Sequence, residues 1–427
     1  MNMKISFSTL ALACCVSSSF ATGFQLWEQD AAGIGDYHAG AAVDTDNTGI
    51  EFYNPGGMVF MNRKGPQIST GFAYIPLNVA FKGEVKVDGV SKPTQGWIDG
   101  STRNIVPNLH IIYPLAPHWA LGFGITTPFG LATKYPYTNP LDQAATRTQL
   151  KTININPSLA YQVNSWLGIG AGVNAQYATA DFDEAAPLLS SFGKILRDTN
   201  HLTSLAWGWN VGAYIKASKN IQLGASYRSK IIHRAHGLGT IVDMFNSGIH
   251  TSDITASLPL PATLYLSARD QITPKFSILA SGMRTWWSCL QSLTINGLPF
   301  VDDKPFNLTT PFGYRDTWNL ALGAHYWVNK HWMIKIGGGY DWTPTTDKYR
   351  DIRLPDANRW ALAVGTRVLA TSRITWDAGW THLMPIHNAQ INNDGPQGLP
   401  AGTTVTTTGE ARTSANVIGM QLTMYFN

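Results

Sequence analysis

Trp166-Leu167-Gly168-Ile169-Gly170-Ala171-Gly172-Val173-Asn174-Ala175-Gln176-Tyr177 repeats with a period of two. Leu167, Ile169, Ala171, Val173, Ala175 and Tyr177 fall on one face, and Gly168, Gly170, Gly172, Asn174 and Gln176 on the other. A helix would scatter both sets around its axis, whereas an extended strand sorts them into one apolar face and one small or polar face. Trp119–Thr127, Leu205–Ile215, Trp318–Val328, Trp332–Trp342 and Trp360–Val368 follow the same rule. Each is long enough to cross a membrane as a tilted strand of about 9–11 residues. Near the end of the chain, Ile418, Met420, Leu422, Met424 and Phe426 alternate with Val417, Gly419, Gln421, Thr423 and Tyr425. An outward face this apolar argues against a soluble β-sandwich or propeller.

Composition agrees. Of 427 residues, 14% are charged, against roughly 25% in an average soluble domain. Aromatics reach 11%, with 15 Trp, and Gly numbers 40. Coiled coil, collagen and disordered classes are excluded, and no apolar run in residues 22–427 is long enough for a membrane helix. Few charges with much Gly and aromatic residue suit a transmembrane β-barrel. Short turns at 116–118, 164–165, 218–220, 273–274, 329–330 and 370–372 alternate with long polar stretches at about 82–102, 129–143, 185–203, 236–252, 297–310, 344–356 and 387–408. Between them the count is fourteen antiparallel strands, an even number that puts both termini on the periplasmic side. Trp119, Trp166, Trp332 and Trp360, near strand starts, are placed in interfacial girdles.

Before the barrel, Lys4, the apolar Ile5–Val16 and Ser19-Phe20-Ala21 predict a signal peptide over 1–21, cleaved before Thr22. Cys14 and Cys15 leave with it, so Cys289 alone remains, and neither an intramolecular disulfide nor a zinc site is expected. Eleven His are scattered, with no His-Glu-x-x-His and no serine nucleophile elbow, so no catalytic residues, metal or cofactor are expected. The small basic excess gives no argument for nucleic acid. Residues 22–62 carry Glu28, Asp30, Asp36, Asp44, Asp46 and Glu51 with no Lys or Arg, leaving the barrel of 63–427 basic. Arg228, Lys230, Arg269, Lys335 and Arg367 take the inward register of their strands, so charge complementarity predicts that 22–62 is a plug inside the lumen.

Several motifs then become recognisable: Gly23-Phe24-Gln25-Leu26-Trp27-Glu28-Gln29, Ala32-Gly33-Ile34-Gly35, Ala39-Gly40 and Tyr53-Asn54-Pro55-Gly56-Gly57-Met58. With Val106-Pro107-Asn108-Leu109-His110, Gly130-Leu131-Ala132-Thr133-Lys134-Tyr135 and Tyr227-Arg228-Ser229, this ordered set resembles the long-chain fatty acid outer-membrane transporters of the FadL type. The resemblance runs from Thr22 to Phe426. It implies a fourteen-stranded barrel closed by an N-terminal hatch, with passive uptake of long-chain fatty acid or a similar hydrophobe. The expected setting is the lipid and lipopolysaccharide of the outer membrane, and the expected state a monomer. Ligand would meet an apolar outer-loop groove, enter the barrel and leave sideways where the third strand kinks beside the hatch motif Asn54-Pro55-Gly56. Gly56 stands where the family has Ala, which predicts a looser turn.

Leu188, Leu189, Phe192, Ile195 and Leu196 share one helical face, and the stretch 236–252 adds Leu238, Ile241, Val242, Met244, Phe245 and Ile249. These two patches are the expected groove. The lateral opening is placed at Gly124, Pro128, Phe129 and Gly130, because Pro128 cannot donate to a ladder. A basic position of the family falls on or near Glu184 and another near Thr310, with Lys304 upstream. A carboxylate would be repelled by Glu184. Arg228 is therefore the candidate carboxylate partner, ahead of Lys230, His233, Arg234 and Arg315. Uptake of neutral aromatic hydrocarbons and a surface-exposed structural or adhesive barrel remain as alternatives.

Overall fold

The computed structural model describes residues 23–62, 65–137, 140–185, 196–243, 248–300 and 304–426. The signal sequence lies outside them. Fourteen strands form the wall. They are β1 (Gln67–Val87), β2 (Thr102–Ala116), β3 (Trp119–Thr126 and Gly130–Lys134), β4 (Arg147–Gln162), β5 (Leu167–Ala185), β6 (Leu196–Lys216) and β7 (Ile221–Arg228 and Ile231–Asp243). The circuit continues with β8 (Gly248–Leu260 and Thr263–Thr273), β9 (Phe276–Thr285 and Ser292–Leu298), β10 (Phe306–Pro311 and Thr317–Trp327), β11 (Trp332–Asp341), β12 (Arg359–Leu369), β13 (Ile374–Pro385) and β14 (Val405–Tyr425). Each pairs antiparallel with the next, and β14 returns to β1 from Gln67↔Tyr425 to Val87↔Val405, so no edge is left open.

Alternation decides which side chains face out. On β5, Ile169, Val173 and Tyr177 are exposed while Asn174 and Gln176 are buried. The same outward row carries Leu205, Trp207, Trp209 and Val211 on β6 and Trp360, Leu362 and Val364 on β12. A continuous apolar band of this size is stable only against lipid. Tyr340, Trp342 and Trp360 cluster outside the long-connection end, with ring centroids 4.3 and 4.7 Å apart.

The strands run further than the sequence reading allowed. The stretch 236–252, expected as a loop, is mostly the hairpin between β7 and β8, paired out to Asp243↔Gly248. Leu196 opens a strand rather than sharing a helical face. Polar residues above the apolar band keep the period of two, and only their polarity had suggested loops. A register shift explains another correction. Arg228 and Ile231 are buried, but Lys230 and Arg234 are exposed, because Ser229–Lys230 interrupts β7 and inverts the phase beyond it.

Residues 23–60 lie inside the wall, and all but Asp46 and Val59 are buried. Short helical turns at Ala32–Asp36, Ala41–Val43, Ile50–Tyr53 and Pro55–Phe60 form this segment. The barrel meets it with glycine. A Cβ on Gly365 would lie 2.6 Å from the Gly35 Cα, and one on Gly170 would lie 2.6 Å from the Pro55 carbonyl carbon. Inward glycines thus let two backbones touch where a side chain would hold them apart.

Candidate functional site

Basic side chains of the wall hold the inner segment: His110 on β2 meets Glu51 at 3.2 Å, both fully buried. Arg269 on β8 meets Asp46 at 3.3 Å and Asp44 at 3.9 Å. His325 on β10 meets Asp36 at 2.6 Å, and Lys335 on β11 donates to the Ala32 carbonyl at 2.9 Å. Lys335 also meets Asp377 at 3.1 Å, and Arg367 pairs with the same Asp377 at 2.8 Å, so these two cations are balanced mainly within the wall. Of the inward Lys and Arg expected to hold the plug, only Arg269 makes a direct ion pair with its acids among the described residues. Burial works against the Asp46 charge, but Arg269 and Arg367 outweigh it and bring its pKa down to about 2. Such a group contributes in full above the ordinary aspartate value of about 4 and loses that contribution as pH falls through the folded value. Ion conductance of the barrel in planar bilayers should consequently stay flat from pH 7 to about 4. A rise beginning above pH 5 would refute this anchoring.

The third strand breaks where Pro128 interrupts it. β3 ends at Thr126 and resumes at Gly130, and both halves still pair with β4. Towards β2 the ladder stops at Leu109↔Ile125. The inner segment takes up the vacated edge: Leu26 N–H donates to the Pro128 carbonyl at 2.8 Å, and Gly130 N–H to that of Phe24 at 2.8 Å. Pro128, Phe129 and Gly130 are thus brought beside Phe24–Leu26, whereas Gly124 stays in the intact ladder, paired with His110 and Asn156 and facing Glu51.

Asn54-Pro55-Gly56 is elsewhere. Asn54 Nδ2 donates to Ala42 and Ala213 carbonyls at 2.8 and 2.9 Å, and Pro55 and Gly56 rest on Gly168 and Gly170 of β5 and Gly212 of β6. The expected adjacency to the kink is corrected, and so is the reason for Gly56. A Cβ there would meet the Gly212 and Gly168 carbonyl oxygens at 2.8 and 2.9 Å, so glycine answers a close approach and not a need for looseness.

Arg228 lies in a narrow cleft, with a cavity of only about 20 Å³, that reaches from Pro128 and Phe129 to Ile231 and Pro261. It is only 8% exposed. Its Nη1 donates to the Phe52 carbonyl at 2.9 Å and its Nη2 to Asn156 Oδ1 at 3.2 Å and to Asn174 Oδ1. The guanidinium carbon stands 3.9 Å over the Phe52 ring. Every one of these partners is neutral, and no ion pair to Arg228 occurs among the described residues. Asn154, Asn156, Asn174 and Asn210 lock together around it, with Asn156 and Asn174 both donating to Asn210 Oδ1 at 3.0 Å. These four asparagines were missed in the sequence. The signal was their inward register on three successive strands, but only pairing shows that they meet.

Glu184 is not a free negative charge. Arg353, from the long connection between β11 and β12, meets it at 2.5 Å and Asp351 at 2.9 Å. The expected repulsion of a carboxylate is therefore reduced but not abolished, since one guanidinium serves two carboxylates. His233 is buried on β7 with Nε2 3.0 Å from Gln176 Oε1, while Arg315, Lys304 and Lys230 are exposed. Of the expected groove, Leu188, Leu189, Phe192, Ile195 and Phe245 lie outside the described residues. Ile241 is buried in the wall and Val242 half-buried on the opposite face, so strand alternation divides what had been expected as one patch.

The family model described as outer membrane protein transport protein (OMPP1/FadL/TodX) matches residues 12–426. A long-chain fatty acid transport protein of Salmonella typhi is 29% identical over 93% of this chain and 95% of its own length. Outer membrane protein P1 of Haemophilus influenzae is 28% identical over 99% of this chain and all of its own. Among solved structures, a Pseudomonas aeruginosa FadL homologue superposes with a TM-score of 0.84 at 21% identity, covering 95% of this chain and 100% of that one. The Pseudomonas putida toluene transporter TodX gives 0.68 at 14% identity over 96% of this chain and 100% of its own.

Proposed function

Since the chain belongs to the OMPP1/FadL/TodX family of outer-membrane transport proteins, we propose that it admits long-chain fatty acids, passively, through the cleft around Arg228. The protein is a fourteen-stranded β-barrel of the Gram-negative outer membrane, and carriage of a hydrophobic ligand accounts for its parts without a chemical step. One observation carries the choice of a carboxylate head: Arg228 is a buried guanidinium whose partners are all neutral. A buried cation without a direct ion-pair partner is costly, and it attracts an anion that arrives already desolvated. Phe52 covers it in the resting state, so the plug of 23–62 acts as the hatch: when Phe52 withdraws, Nη1 is released to a ligand carboxylate. Release sideways past Pro128 then requires Phe24–Leu26 to leave the β3 edge.

Phe52, Phe129 and Tyr265 give the same cleft an aromatic lining, which favours neutral aromatic hydrocarbons as a second reading. Uptake of labelled oleate into cells lacking their own fatty acid carrier tests the first. Saturable uptake that depends on this protein is expected. A heat-modifiable, inserted barrel that admits toluene but no oleate would move the assignment to the neutral ligands.

A further inference from the structure

Another interruption of the wall, the one that borders the Arg228 cleft, lies between β6 and β7, away from the β3 kink. Their ladder runs from Gln222↔Lys216 to Arg228↔Asn210, then resumes one register later from His236↔Thr203 to Asp243↔Leu196. No pairing joins Ser204–Gly208 of β6 to Ile231–Ala235 of β7, although each segment stays paired to its other neighbour. Trp209 closes the lower edge: its N–H donates to Ser229 Oγ at 2.9 Å, and Ser229 N–H donates back to its carbonyl at 2.9 Å. Since Trp209 turns both backbone groups towards β7, alternation turns those of Leu205 and Trp207 the same way, into the gap. Unpaired backbone is tolerated at membrane depth only beside protein or a polar cavity.

What lies on either side of the gap gives it a direction. Inside is the Arg228 cleft, which Ile231 lines. The Ile231 side chain reaches across the lower end of the gap, and a Cβ on Gly208 would meet its Cγ1 at 2.7 Å. Outside, Leu205, Trp207 and Ile232 are exposed on the apolar band. Lys230 is exposed there too and makes no ion pair with a described residue. A lysine on the lipid-facing register is costly and marks a path for charge.

We propose that this gap is a second side window, stoppered by Ile231, and that a carboxylate-headed ligand leaves the Arg228 cleft through it, passing from Arg228 within the wall to Lys230 outside. The proposal rests on the transport reading above. Unlike the β3 break, which is sealed by two backbone hydrogen bonds with Phe24–Leu26, this window is covered from within by side chains of β7 itself. Ile231 lies at its lower end and His233 above, held to Gln176 of β5 at 3.0 Å, so rotation of Ile231 opens the lower end without moving the hatch.

Cysteines in place of Gly208 and Ile231, in a Cys289→Ser background, put a cross-link over the window. Labelled oleate uptake is measured in carrier-deficient cells with the pair oxidised and then reduced. Oxidation should slow uptake by on the order of tenfold and reductant should restore it, because the closed stopper becomes rate-limiting. Ile231→Ala should speed uptake and Lys230→Gln should slow it, and these two decide the matter alone if the cysteine pair fails to give a heat-modifiable barrel. Equal uptake by the oxidised and reduced pair, or by both single variants and the parent, would overturn the window while leaving transport intact. A Cys289→Ser parent that carries no oleate overturns the transport reading itself, and the window with it.

Discussion

Deletion of residues 23–60 is expected to turn a blocked barrel into an open ion pore, raising single-channel conductance on the order of tenfold or more. A small eight-stranded barrel fills its own interior with side chains, but fourteen strands enclose more space than wall side chains alone can fill. Here the inward row is further depleted by Gly168, Gly170, Gly212, Gly224, Gly337, Gly365 and Gly379, all of which abut the inner segment. The wall was built around that segment, so its loss leaves a lumen with nothing to close it. The barrel itself should survive, because every strand still pairs with both neighbours and β14 closes on β1, the interruptions at β3, β6–β7, β8–β9 and β9–β10 being local. A milder form of the experiment is Gly56→Val, whose side chain would collide with the Gly168 and Gly212 carbonyls. It should displace the lower part of the hatch and give intermediate, noisy conductance. Deleted protein that inserts normally yet conducts like the parent would mean that another part of the chain closes the pore.

The barrel was legible in the sequence because its physics is local. Trp166–Tyr177 states its own two faces, and the same alternation in other segments fixed the count of fourteen. The break in β3 was also legible, since Pro128 lacks the donor that a ladder needs. What escaped depends on partners remote in sequence. Lys230 was placed inward because a period of two was carried through Ser229, and only the paired interruption with Pro261 and Ala262 on β8 shows where the phase inverts. Glu184 looked like a repulsive charge because Arg353 lies 169 residues away. Gly56 looked like a loosened turn because the carbonyls that forbid a Cβ belong to β5 and β6. In each case the residue type was read correctly and its neighbour was missing.

Arg228→Met should separate the two candidate ligand classes. The substitution keeps a long side chain over Phe52 and removes the charge. If the guanidinium receives a carboxylate, losing a buried charge-to-charge contact of about 2–5 kcal/mol should cut oleate uptake by roughly thirtyfold to several thousandfold at limiting ligand. Toluene makes no such contact, so its uptake should fall little or rise, because Met enlarges the apolar lining beside Phe129 and Tyr265. The variant leaves Asn156 Oδ1 and the Phe52 carbonyl without the donor they share, at a cost of roughly 1–3 kcal/mol each unless water enters, while Asn174 Oδ1 keeps Asn154 Nδ2 at 3.1 Å. Hatch loosening alone would therefore raise leakage for every solute alike. Measuring oleate, toluene and ion conductance on the same variant distinguishes these effects. A selective loss of oleate with unchanged conductance assigns the carboxylate to Arg228. Equal changes for both ligands, accompanied by higher conductance, would make Arg228 a post that holds Phe52 and the hatch in place. The carboxylate would then have to be met by another cation along the path, and exposed Lys230 is the next to replace.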